Sequence, residues 1–201
     1  MSISDRLRYV AERAEIGERA EALFSVEIPE RPGSYRAFMR LLGQRSISEF
    51  NYRFAHDSTA KIFVGIKLSR GDAEKHEIIS LLKEHGLKVI DLTDNEVAKL
   101  HVRYMVGGRV ADLEHETVYR FQFPERPGAL LKFLEGLHDA RNISLFHYRN
   151  HGADYGRVLI GVQVPPETRA DFIAHIEVIG FPYWDETDNP AYKQFLDHER
   201  A

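Results

Sequence analysis

Glu30-Arg31-Pro32-Gly33 and Glu125-Arg126-Pro127-Gly128 are the same four residues written twice in one chain. Each is a Pro-Gly turn in front of a helix-patterned stretch. Glycine has no Cβ, so backbone N–H groups there can approach a ligand closely. The start of a helix also offers unpaired donors and a partial positive charge, which suit a carboxylate. The candidate site is therefore Glu30, Pro32, Gly33 and Ser34 in the first copy, and Glu125, Gly128, Ala129 and Leu130 in the second. The strand that follows adds Asn51 and Tyr52 to the first and His147, Tyr148 and Arg149 to the second. Together such groups would hold both ends of an amino acid and leave apolar positions for its side chain. A plainer reading stands beside this one, in which Pro-Gly only makes the turn and the tyrosines only pack. A short turn motif does not decide between them.

Other chemistry is thinly supported. The chain has no G-x-S-x-G, Walker loop, H-E-x-x-H or G-x-G-x-x-G. Ten histidines invite a metal reading. His147 and His151, however, straddle a strand-to-turn junction, where a spacing of four does not share a face. Asp112, Glu114 and Glu116 fall in a charged connector and read as a solvated loop. The absence of cysteine removes disulfides, thiolate metal sites and a thiol nucleophile, and fits a reducing cytoplasm. A net charge of −4 gives no footprint for nucleic acid or an anionic membrane. No stretch has the length of a membrane span, and the N-terminus has no apolar signal core. The expected compartment is the cytoplasm.

The elements that must position these turns are themselves duplicated. Residues 28–39 against 123–134 give six identities in twelve, residues 47–54 against 143–150 give five in eight, and the offset stays at 94 to 96. That is a tandem domain repeat. Phe24, Val26 and Ile28 alternate with polar residues, as do Tyr119, Phe121 and Phe123, so each unit opens with a strand buried on one face. A helix follows, with Tyr35, Phe38, Met39 and Leu42 in one copy and Leu130, Phe133, Leu134 and Leu137 in the other. A second strand carries Phe50 and Tyr52, or Phe146 and Tyr148. A third carries Ile62, Val64, Ile66 and Leu68, or Val158, Ile160, Val162 and Val164. A second helix runs to Gly86 or Gly180, and a short fourth strand closes each unit. The order βαββαβ predicts an α+β fold of two tandem ferredoxin-like units, antiparallel sheets with helices on one face. The expected division is a connecting helix over 1–22, a first domain over 23–94, a connector over 95–116, and a second domain over 117–201 that ends in a helix starting at Asn189-Pro190. Units of this size bury a modest core, so they should pack on each other or on a partner chain.

The blocks LRYVAERAEIGE, EFNYRF, LSRG, KLHVRYMVGGR, FPERPGALLKFL, ISLFHYR and DYGRVL resemble one family over nearly the whole chain. It is the C-terminal regulatory region of biosynthetic threonine deaminase (threonine ammonia-lyase), a pair of ACT-like domains. The resemblance implies an upstream pyridoxal-phosphate catalytic domain that converts threonine to 2-oxobutanoate and ammonia. It implies isoleucine as feedback inhibitor, valine as the antagonist of that inhibition, and a homo-oligomer. Nothing in 201 residues has the size of a pyridoxal-phosphate fold, so the chain is expected to carry no cofactor and no lyase activity. Met1 stands just before the connecting helix, which reads as an isolated regulatory piece. The repeats differ at Ser34 and Ala129, Tyr35 and Leu130, Glu49 and Leu145, and Asn51 and His147, as two sites for related ligands would.

Three other functions share the fold. An RNA-recognition module needs exposed aromatics on its first and third strands, where this acidic chain offers Phe63 at best. An acyl-phosphate hydrolase would set Arg31 beside Asn51. A structural oligomerisation module with no ligand would suit small units with open sheet edges.

Overall fold

Alternating apolar residues and two helix-period stripes per repeat resolve into two βαββαβ units. The computed structural model describes residues 20–55, 58–137, 141–150 and 154–197. Residues 1–19 of the expected connecting helix over 1–22 lie outside the described residues. The first unit is β1 (Glu21–Pro29), α1 (Ser34–Leu42), β2 (Ile47–Arg53), β3 (Thr59–Lys67), α2 (Asp72–Glu84) and β4 (Lys88–Asp91). A connector holds the short α3 (Glu96–Leu100) and a 3-10 turn (Val102–Tyr104). The second unit is β5 (Glu116–Pro124), α4 (Ala129–Leu137), β6 (Ile143–Arg149), β7 (Tyr155–Gln163), α5 (Arg169–Ile179) and β8 (Tyr183–Asp185), followed by α6 (Pro190–Phe195). Asn189 caps α6, its side chain accepting from Ala191 N.

The two units share one sheet. Eight antiparallel strands run in the order β4-β1-β3-β2-β6-β7-β5-β8, and β2 pairs with β6 at the centre. Asn51 faces His147 in that pairing, Phe50 faces Tyr148, and Tyr52 faces Phe146. Asn51 and His147 are equivalent residues of the two repeats, so a local twofold axis runs through this pair. Helices α1, α2, α4 and α5 cover one side of the sheet. There Phe24, Phe50, Tyr52, Phe121, Phe146 and Tyr148 pack against Phe38 and Phe133 in a single apolar core. Burial of such rings is the main stabilising contribution.

The reverse side is partly covered as well. Leu23 and Phe63 pack on Ala98 of α3, with Leu92 and Val106 beside them. Phe63, the aromatic that a nucleic-acid reading would need exposed, is only 4 % accessible. Among the described residues, no helix is long and apolar enough to cross a membrane.

Candidate functional site

Both Pro-Gly turns form as their residue types dictate. Gly33 has φ 86° and Gly128 φ 77°, the left-handed region that glycine enters without steric cost. Each turn then feeds a helix: Ala37 N donates to Gly33 O at 2.9 Å and Lys132 N to Gly128 O at 3.0 Å. Glu30 N donates to Ser58 O and Glu125 N to Asp154 O, which pins each turn to the start of the third strand of its own unit.

The glutamate of each turn meets the tyrosine of the same repeat. The Tyr52 hydroxyl donates to the Glu30 carboxylate, and the Tyr148 hydroxyl donates to Glu125 at 2.6 Å. Both tyrosines are 1 % exposed. Burial pushes each phenol well above its ordinary range, and the hydrogen bond to a carboxylate raises it further. Burial also raises the Glu30 carboxyl, against the opposing pull of the Tyr52 hydroxyl. The first repeat adds a difference of chemistry. Glu30 Oε1 and the Tyr35 hydroxyl are buried with no hydrogen-bond partner among the described residues, and the Tyr35 ring stands edge-on to Tyr52 at 5.2 Å. In the second repeat the equivalent of Tyr35 is Leu130, an apolar core residue.

The space beside the two turns is also unlike. At the first, a cavity of about 520 Å³ lies within its own unit, lined by Pro32, Gly33, Ser34, Phe38, His85 and Leu87. At the second, a cavity of about 350 Å³ is bordered by Gly128, Ala129, Leu131, Lys132 and Glu135, and by Gln44 from the first unit.

The structure does not bring the other expected residues to these turns. Successive side chains of a strand point to opposite faces. Asn51, His147 and Arg149 therefore lie on the reverse side of the sheet from Tyr52 and Tyr148. Asn51 pairs across the strands with Phe63 and donates to Glu49 Oε2 at 3.0 Å. The Arg149 guanidinium lies 4.7 Å from the Tyr104 ring centre. Arg31 is exposed while Asn51 is buried on the reverse face, so the two form no anion loop.

One polar cluster went unread. Glu116 is not part of a solvated loop: it is 6 % exposed at the head of β5. Its carboxylate accepts from both terminal nitrogens of Arg53, from the Ser144 hydroxyl, and from the Tyr192 hydroxyl of α6 at 2.7 Å. Arg53 also donates to the carbonyls of Gly108 at 2.9 Å and Leu196 at 2.8 Å. In the first unit the equivalent glutamate, Glu21, accepts from Ser48, while Arg103 of the connector pairs with Glu21 and Glu49. The available signal was the repeat itself, since Glu116 stands 95 positions after Glu21 at the head of the equivalent strand. Among the described residues, no group of three or more His, Cys, Asp or Glu could hold a metal ion.

A family model described as the C-terminal regulatory domain of threonine dehydratase matches residues 12–102 and again 107–196. The chain belongs to this family. The two matches coincide with the two units, which are therefore tandem ACT-like domains. The biosynthetic L-threonine dehydratase IlvA of Escherichia coli K12 is 54 % identical over 190 residues, spanning 94 % of this chain and 37 % of that relative. That of Burkholderia multivorans is 51 % identical over 192 residues, 96 % of this chain and 38 % of its own length. The mitochondrial threonine dehydratase of Saccharomyces cerevisiae is 43 % identical over 202 residues, with 96 % and 35 % covered. The chain thus spans 35–38 % of the length of these three relatives. The similarity is to their regulatory region, and the catalytic pyridoxal-phosphate domain falls outside it.

Proposed function

We propose that this chain is the allosteric region of a biosynthetic threonine ammonia-lyase, binding isoleucine as feedback inhibitor and valine as the antagonist of that inhibition. The observation that carries the reading is the unlike pair of cavities at two otherwise equivalent turns. Isoleucine exceeds valine by one methylene, which a single apolar pocket separates by only about 1–3 kcal/mol. Two pockets of different size and lining separate them more readily. In each, the helix start and turn glycine receive the ligand carboxylate. A Glu–Tyr pair stands beside each turn, outside the residues that line its cavity, and its carboxylate is an acceptor for the ammonium group. In the first repeat Glu30 Oε1 has no partner among the described residues.

Ligand that prefers one arrangement of the two units shifts their equilibrium, with a coupling of about 1–3 kcal/mol in typical allosteric systems. The units share one sheet, so a change at either turn reaches the other through β2 and β6. The connector residues Arg103 to Gly108, bound to Glu49 and Arg53, would carry the shift to the pyridoxal-phosphate domain. Among the described residues β4 and β8 are the edge strands of the sheet, and assembly into a homo-oligomer belongs to the same proposal.

Titration calorimetry of the chain with isoleucine, valine and threonine tests it. Binding of both branched-chain ligands is expected, each weakened by removal of one hydroxyl, Tyr52→Phe or Tyr148→Phe. Absence of heat, together with no gain in Tm at millimolar ligand, would sink the reading, since a ligand of the native state must stabilise it.

A further inference from the structure

Gln44 belongs to the first unit, in the loop between α1 and β2, yet its carboxamide lies against the turn of the second. A β-carbon built on Gly128 would sit 2.1 Å from Gln44 Oε1, 2.8 Å from Cδ and 3.1 Å from Nε2. The whole carboxamide therefore occupies the space directly over the bare α-carbon of the turn. A carboxamide has the plane and size of a carboxylate, with a neutral oxygen acceptor in place of a charged one. Gly128 is also the point at which a ligand carboxylate would arrive at the start of α4.

We propose that Gln44 is an internal stand-in for the ligand at the second-repeat site, a gate that the amino acid's carboxylate displaces on binding. The inference rests on the effector reading given above and adds a residue and a regulation to it. The charges around the cavity favour the exchange. Arg126 and Lys132 border it, and the acidic Glu135 faces Arg40 across the units at 3.4 Å. A full negative charge gains more there than a neutral amide does. Displacement has a route out of the site as well. Gln44 leads into β2, where Ile47 O accepts from the Tyr148 hydroxyl at 3.4 Å and Ser48 O accepts from Asn150 N at 2.7 Å. A ligand at the second turn thus releases the segment that begins the central strand of the first unit.

A gate that occupies its site most of the time lowers apparent affinity by the fraction of time the site is open. Gln44→Ala should therefore bind the second-site ligand about threefold to tenfold more tightly. Gln44→Glu, a permanent carboxylate beside Arg126 and Lys132, should bind it more weakly than the wild type. Gln44 is exposed, so neither variant threatens folding. The assay is calorimetry of the 201-residue chain with isoleucine and valine, joined to the side-chain amide signals of Gln44 in a nitrogen–proton spectrum. Those signals are identified by their loss in Gln44→Ala and should move on saturation. Equal affinities in all three proteins, with the amide signals unmoved, overturn the gate and leave the effector reading intact. Binding of neither ligand to wild type or to Gln44→Ala removes the effector reading, and the gate with it. Opposite changes in Gln44→Ala and Gln44→Glu uphold both.

Discussion

Arg53→Met should be among the most damaging single substitutions outside the apolar core. The Arg53 side chain is 5 % exposed and that of Glu116 is fully buried. One guanidinium there binds β5 of the second unit, the connector at Gly108, and the C-terminal segment at Leu196. Removing it leaves a carboxylate with no countercharge inside the protein. Breaking one side of a buried ion pair costs about 3–5 kcal/mol. For a chain of this length each kcal/mol lowers Tm by about 2–4 °C, so a fall of about 6–20 °C is expected. Glu116→Gln should cost a similar amount, because it strands the arginine instead. The double variant should lose little more than either single one, since the second change removes a charge that the first left unpaired. Thermal and urea unfolding of the four proteins gives the cycle. Amide exchange should speed up over 105–113 and 190–197 in Arg53→Met, where two carbonyl anchors are gone. Strictly additive losses, or an Arg53→Met Tm within 2 °C or so of wild type, would refute the argument that this pair is buried and coupled.

Gly161→Ala should cost about 1–3 kcal/mol, because its β-carbon would lie 2.6 Å from Glu116 Oε1 and 2.8 Å from Leu145 Cβ, and the latter cannot swing aside; chemical unfolding measures it. Gly33→Ala, forced into a left-handed turn at φ 86°, should lose about 1–2 kcal/mol by the same measurement. Burial pushes the Asp185 carboxyl up, but bonds from the Thr187 hydroxyl and N–H and from Arg169 hold it below its ordinary value. Its contribution is therefore present above the unfolded value of about 4 and is lost as pH falls through the lowered folded value. The Tm gap between wild type and Asp185→Asn should be constant near neutrality and close in acid.

Much of this architecture is readable in the residues. The offset between repeats, the alternation of Phe24, Val26 and Ile28, and the helix spacing of Tyr35, Phe38, Met39 and Leu42 are local patterns, and each became the element its period requires. The fusion of two sheets into one is not local. Nothing in the sequence of β2 or β6 says that Asn51 meets His147 and not a strand of another chain, because either edge could have been covered. The tyrosines and turn glutamates did come together, with the same spacing in both copies. Asn51, His147 and Arg149 did not join them. Neighbours along a strand face opposite ways, and the expected site had set Asn51 with Tyr52 on one side. Glu116 was misread for a related reason. A charge beside a connector looks solvated until the arginine that pairs with it, 63 positions earlier, is placed. Gln44 carries no pattern at all, and only the approach of one unit's loop to the other unit's turn reveals it.

The twofold relation centred on Asn51 and His147 is usually the property of two separate copies of a chain. Here a covalent linker keeps the halves together at any dilution, so their association needs no threshold concentration. The linker also frees the halves from identity. In a true pair of identical chains, a tyrosine for leucine exchange at one turn appears at both. In this one, Tyr35 and Leu130 can diverge independently, and a symmetric scaffold can come to hold two different messages.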